Sequence, residues 1–226
     1  MKKLQKIDYS LYLVTDRELS RGRATVDIVA AAVQGGVTCV QLREKKCSTL
    51  EFIEQAIAVK KLLESSDVPL IINDRVDVAL AVEADGVHLG QTDMPLAMAK
   101  KILGDTMIIG ISAESLEDAV EAERNGADYL GVSPIYATPT KTDTAPPLGL
   151  EGLRAIRSSV RLPLVGIGGL NQSNSAAVIR SGADGIAVEF QGYRVHVLLS
   201  VGSVVALEHT HSAAVSVIAF TVPAKR

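Results

Sequence analysis

The chain has 226 residues, of which 47% are hydrophobic, 22% charged and 4% aromatic, with a formal net charge of −3 and no Trp. That length closes one large core rather than two, and the balance is that of a soluble globular protein. A slightly acidic chain poor in aromatics offers neither a general attraction for nucleic acid nor a platform on which bases stack, so any anion site has to be local.

The first ten residues, MKKLQKIDYS, carry lysines with no apolar run of signal length behind them, so the expected location is the cytoplasm. Short β-branched runs then alternate with helix-length segments. SLYLVTD (10–16) is followed by a helical pattern over Thr25–Gln34, VTCVQLR (37–43) by Thr49–Ser65, and VPLIIND (68–74) by a shorter helix. DGVHLG (85–90) precedes Pro95–Leu103, MIIGIS (107–112) precedes Ser115–Asn125, and DYLGVSP (128–134) precedes Leu150–Ser158. LPLVGIGG (162–169) leads to Ser173–Ser181, and DGIAVEF (184–190) is the eighth run. Alternation of this kind implies parallel strands joined by right-handed crossovers. Eight units at this length fit a (β/α)8 barrel of TIM type better than a doubly wound sheet. A joint recurs three times, in EADGVHLG (83–90), NGADYLGVS (125–133) and SGADGIAV (181–188). Gly126 and Gly182 fall where a helix end needs positive φ. Cys39 and Cys47, eight apart with no second pair, fit neither a zinc site nor a disulfide framework and are expected as reduced thiols.

In such a barrel the chemistry belongs at the C-terminal ends of the strands, and here those ends are polar. Gln41, Arg43 and Lys45 alternate with Val40, Leu42 and Glu44, so a period of two puts the three donors on one face, where they converge on an anion or simply mark a strand leaving the core. Asn73 and Asp74 end the third strand, and Asp93 follows the fourth. Each aspartate suits a helix N-cap; facing Arg43 and Lys45 across a barrel mouth, the pair suits Mg2+ completed by phosphate oxygens. His88 lies within the fourth strand and reads as a packed strand residue before it reads as a neighbour of the site. Ser112 ends the fifth strand and either donates a hydroxyl or terminates it. GIGGL (166–170), before the helix-capping candidates Asn171 and Ser173, lets backbone N–H groups approach a phosphate. SPIYATPTKTDTAPPLG (133–149) shares this rim. Thr138, Thr140 and Lys141 there offer hydroxyls and a charge for a polyphosphate, and the prolines limit the entropy lost when the loop orders, as in a lid.

Taken together, YLVTDR (12–17), VQLREK, INDR, GVHLGQTDM, GISA, the TPTK loop with PLGLEGL, and GIGG resemble the thiamine phosphate synthase family, from about residue 12 to residue 188. The resemblance implies a transferase. It joins an aminopyrimidine methyl pyrophosphate to a thiazole ethyl phosphate and releases pyrophosphate. It implies that Gln41, Arg43, Lys45, Asn73, Ser112 and Lys141 bind the pyrimidine pyrophosphate. Arg43, Lys45 and Lys141 would act in catalysis, Asp74 and Asp93 would hold Mg2+, and Thr138, Thr140 and Gly168 would serve the thiazole phosphate. The expected partners are these small molecules, with no nucleic acid and no membrane, and a homo-oligomer is left open.

Two departures qualify the expectation. Thiazole tautomerases, related to the family, commonly carry a histidine after the fifth-strand serine, and Glu114 stands at that place. After Val188 the family usually has a serine and a final amphipathic helix, whereas here Glu189 and Phe190 open an apolar, charge-poor stretch. The chain therefore divides into a barrel domain, 1–190, and an atypical tail, 191–226, that reads as a replaced or frame-shifted end in place of the last helix. The alternatives to the synthase are a relative impaired by this tail that still binds phosphorylated ligand, and a tautomerase-like isomerase.

Overall fold

The computed structural model describes residues 7–20, 22–137, 146–189, 204–207 and 217–221. Its first part is a closed barrel of eight parallel strands taken in sequence order: β1 (Leu11–Val14), β2 (Cys39–Leu42), β3 (Leu70–Asn73), β4 (Gly86–Leu89), β5 (Ile108–Ala113), β6 (Tyr129–Val132), β7 (Leu164–Gly166) and β8 (Gly185–Glu189). β8 pairs in parallel with β1 and closes the ring. The helices between them are α1 (Thr25–Gln34), α2 (Thr49–Leu63), α3 (Val76–Ala81), α4 (Leu96–Leu103), α5 (Leu116–Arg124), α6 (Gly149–Ser159) and α7 (Ser175–Arg180). This is the (β/α)8 architecture expected from the alternation of strand and helix. Beyond β8, β9 (Val204–Leu207) and β10 (Val217–Thr221) form a two-stranded antiparallel pair. Among the described residues no helix follows β8.

The period of two along each strand sorts the interior into two layers. Leu11, Leu13, Val40, Leu42, Leu70, Ile72, Leu130 and Val132 face outward into a large aliphatic layer under the helices. Tyr12, Val14, Cys39, Ile71, Ile108, Tyr129, Val165 and Ala187 face inward and pack with Tyr9 in a smaller cluster that fills the barrel. The inner layer is aromatic at one level: the rings of Tyr9 and Tyr129 lie 4.7 Å apart, and those of Tyr12 and Tyr129 6.0 Å.

The threefold joint has a specific purpose. Asp85, Asp128 and Asp184 each donate a backbone N–H to the carbonyl of Leu70, Ile109 and Leu164 respectively, at 3.0, 2.8 and 2.8 Å. Each carboxylate in turn accepts the N–H of that same residue, at 2.8, 2.8 and 3.0 Å. Every even strand from β4 is thereby clamped at its start to the strand before it, and a backbone donor at the closed end of the barrel is satisfied. Gly126 and Gly182 enter the joint at φ +82° and +110°. In the first copy Glu83 takes this position at φ +51°, a conformation that glycine adopts without strain.

Cys39 and Cys47 are free thiols. No described helix is long and apolar enough to cross a membrane.

Candidate functional site

A cavity of about 260 Å³ opens at the C-terminal ends of the strands. β2 and the turn after it contribute Gln41, Arg43 and Lys45, and β3 and the residue after it contribute Asn73 and Asp74. His88 from β4, then Gly90, Gln91, Thr92 and Asp93, line the next sector, followed by Ser112 from β5, Glu114 just after it, and Tyr129 and Gly131 from β6. Val14, Val165, Ile167 and Ala187 form an apolar wall, with Gly168 beside it. The polar and apolar walls face the same space, an arrangement suited to a ligand with an apolar body and a charged end.

Eight of the residues marked in the sequence, Gln41, Arg43, Lys45, Asn73, Asp74, Asp93, Ser112 and Gly168, line this one cavity. Thr138, Thr140 and Lys141 lie outside the described residues, as does Phe190. The charged end is internally paired. Arg43 Nη1 meets Asp16 Oδ2 at 2.5 Å, and Lys45 forms an ion pair with Asp74. Arg43 is held from behind as well, its N–H donating to Thr15 Oγ1 at 3.0 Å. Gln41 and Asn73 are both buried and line the cavity. Gly168, at φ +95°, passes close to Pro134; a Cβ there would come within 2.8 Å of the proline Cβ, so only glycine fits the turn.

Neither aspartate caps the helix that follows it. α3 is capped at Arg75 and α4 at Pro95. Asp74 instead turns toward Lys45 from a left-handed backbone position, φ +63°, and Asp93 Oδ2 accepts the Gly90 N–H at 2.7 Å. Burial, and then its hydrogen bond with the Asp74 carboxyl, hold Asp93 above the usual carboxylate range. Two acidic groups kept this close in a half-buried rim fit a divalent cation, which would offset their repulsion. Among the described residues no group of three or more His, Cys, Asp or Glu could hold a metal, so the remaining ligands of such an ion would come from a bound anion and water.

His88 is both things the sequence allowed. It is buried in β4, and it lines the cavity with Nε2 3.0 Å from Ser112 Oγ. Sequence reasoning missed Tyr12, Tyr129, Asp16 and Gln91. The signal for the tyrosines was present, because in LYLV and DYLGV the period of two sets Tyr12 and Tyr129 opposite the outward leucines. Gln91 Nε2 donates to the Ser112 carbonyl at 2.5 Å, tying the loop after β4 to the end of β5. Glu114 also lines the cavity.

A family model described as thiamine monophosphate synthase matches residues 11–189, the span from the first residue of β1 to the last of β8. The thiamine-phosphate synthase of Chloroflexus aurantiacus is 57% identical over 182 residues, 80% of this chain and 84% of the relative. That of Albidiferax ferrireducens is 58% identical over 178 residues, 79% of this chain and 81% of the relative. Among solved structures, a thiamine phosphate pyrophosphorylase from Pyrococcus furiosus superimposes with a TM-score of 0.74 at 46% identity, covering 80% of this chain and 86% of that one. An N-acetylmannosamine-6-phosphate 2-epimerase from Clostridium perfringens, 14% identical with a TM-score of 0.63, shares the fold alone.

Proposed function

We propose that this chain, which belongs to the thiamine monophosphate synthase family, divides its cavity into a pyrophosphate end on β2 to β4 and a ring end against the apolar wall. Its activity is the synthesis of thiamine phosphate. The substrates we assign are 4-amino-2-methyl-5-hydroxymethylpyrimidine pyrophosphate and 4-methyl-5-(2-phosphoethyl)thiazole. The observation that carries this reading is that Gln41, Arg43, Lys45, Asp74 and Asp93 all line one cavity. Because both substrates are phosphorylated and do not cross membranes unaided, the reaction belongs in the cytoplasm, where the soluble pools are.

The chemistry asks little of a base. An electron-rich aminopyrimidine carries positive charge on its methylene group once pyrophosphate departs, and the thiazole nitrogen then captures that carbon. Arg43 and Lys45 stand where negative charge develops on the leaving group, and fixed donors of this kind stabilise the transition state more than the ground state. Asp16 holds the guanidinium in place before the substrate arrives, so little reorganisation remains for the reaction itself. Lys45 is paired with Asp74 and gains a second acceptor when the pyrophosphate binds. Gln41 and Asn73 add their amide donors. Val14, Val165, Ile167 and Ala187 keep water from the cationic carbon, which would otherwise be lost as the alcohol. Mg2+, held by Asp74 and Asp93, would neutralise pyrophosphate oxygens when bound. From the sequence between β6 and α6 the same reading assigns Lys141 to the pyrophosphate, and Thr138 and Thr140, with Gly168, to the thiazole phosphate.

The test is stoichiometry. With both substrates and Mg2+, each pyrophosphate released should be matched by one thiamine phosphate, with no pyrimidine alcohol formed. Pyrophosphate release without thiamine phosphate would contradict the assignment of the ring end, and no release at all would contradict the assignment of the pyrophosphate end.

A further inference from the structure

Beneath the charged rim, four hydrogen bonds join side chains from five strands in one buried line. Gln41 Nε2 donates to the Tyr12 hydroxyl at 3.0 Å. The Tyr12 and Tyr129 hydroxyls are 2.8 Å apart, Tyr129 Oη lies 2.9 Å from His88 Nδ1, and His88 Nε2 lies 3.0 Å from Ser112 Oγ. The line crosses the barrel from β2 through β1, β6 and β4 to β5, where it ends at a side chain that faces the cavity.

The barrel makes room for it. Along the strand register His88 pairs with Gly110, and Gly110 with Tyr129, so the two rings flank a glycine on the strand between them. A Cβ at Gly110 would overlap the Tyr129 ring, and one at Gly131 would stand 3.0 Å from His88 Cε1. Two strands thus lack side chains at the level where these rings lie.

We infer that His88 and Tyr129 are positioning residues for Ser112, fixing the direction of its hydroxyl proton toward the bound pyrimidine pyrophosphate. Counting protons gives the direction. The Gln41 amide nitrogen only donates, so the Tyr12 oxygen accepts from it and passes its own proton to Tyr129. Tyr129 in turn donates to His88 Nδ1. A neutral imidazole then carries its single proton on Nε2 and donates to Ser112 Oγ, which leaves the serine proton for the ligand. The opposite run would make Tyr12 accept twice and leave its proton to the neighbouring Cys39 sulfur, a weak acceptor. Burial holds both tyrosine hydroxyls well above their ordinary pKa, so they stay protonated donors.

This inference rests on the reading that Ser112 meets the substrate, and a double-mutant cycle separates the two. Ser112→Ala, Tyr129→Phe and the double variant are compared in kcat/KM for the pyrimidine pyrophosphate, with melting temperature measured on each. Tyr129→Phe keeps the ring and removes only the hydroxyl. It is expected to cost about tenfold in the parent and nothing further once Ser112 is Ala. His88→Gln, whose amide can accept from Tyr129 and donate to Ser112, should retain more activity than His88→Leu at comparable stability. If Ser112→Ala leaves kcat/KM unchanged, the assignment of Ser112 to the substrate fails, and the inference with it. If Ser112→Ala costs activity but the Tyr129→Phe loss adds to it in full, only the inference fails. Should Tyr129→Phe melt below the assay temperature, the same cycle with His88→Leu decides in the same terms.

Discussion

Tyr129 and Leu130 are neighbours on β6, both wholly buried, and they belong to different parts of the molecule. Leu130 faces the aliphatic layer under the helices, whereas Tyr129 faces the barrel interior and hydrogen-bonds toward the cavity. The contrast recurs along most of the strands. The outer face is almost uniformly Leu, Ile and Val and makes the barrel cohere, while the inner face mixes polar groups, rings and glycines and makes it specific. One residue of register therefore separates a side chain whose loss would cost stability from one whose loss would cost turnover.

The largest expected effect tests the inner face. Arg43→Ala should lower kcat/KM by about 10²–10³, the usual cost of losing one donor to developing negative charge, with little change in melting temperature. Steady-state kinetics with a thermal melt on the same preparation check both halves, and a loss of stability without a loss of turnover would erase the contrast. Leu130→Ala should do the reverse. It should destabilise by about 2–5 kcal/mol, read from denaturant unfolding, while the folded fraction keeps the parent kcat/KM.

A smaller effect lies where the two carboxylates meet. The folded state raises the proton affinity of Asp93, by burial first and then through Asp74, so it holds a proton that the unfolded chain releases between the ordinary value of 3.8 and the raised one. In metal-free protein, stability should therefore fall as pH rises through that window. Asp93→Asn should flatten this part of the profile and leave the metal-free melting temperature at neutral pH no lower than the parent's. Melts in a chelator across the carboxylate range check it, and a steeper profile in the variant would contradict it.

The smallest effect belongs to the closed end of the barrel. Glu83→Gly relieves a left-handed position in the one copy of the joint that lacks glycine, and should add about 1 kcal/mol of stability, or roughly 2–4 °C in melting temperature. Turnover should not change. A loss of stability would mean that Glu83 makes contacts worth more than its backbone strain.

The outer layer was legible in the sequence because its only requirement is apolar alternation, which a period of two displays directly. Most helix boundaries followed from caps and breakers, as at Pro95 and Ser115, although the last described helix starts at Ser175 rather than Ser173. Strand-end residues such as Gln41, Asn73 and Ser112 were legible because a polar residue finishing a buried run has few reasons to be there. The partnership of Tyr12, Tyr129 and His88 was not. It depends on which strands become neighbours when the barrel closes and on the register that sets His88 and Tyr129 level across Gly110, neither of which any local pattern encodes. Asp16 was hidden for a similar reason, since its partner Arg43 lies just past the end of the neighbouring strand β2.

The proposed pyrophosphate end depends above all on Asp74 and Asp93 serving the leaving group through a divalent cation. Initial rates of pyrophosphate release, followed across a Mg2+ titration with both organic substrates saturating, test it in the parent, Asp74→Asn and Asp93→Asn. Release should require Mg2+, and each variant should need on the order of tenfold more of it for half-maximal rate. Three superimposable titration curves, or full rates in chelator, would remove both aspartates from the reaction and contradict the assignment of this end of the cavity.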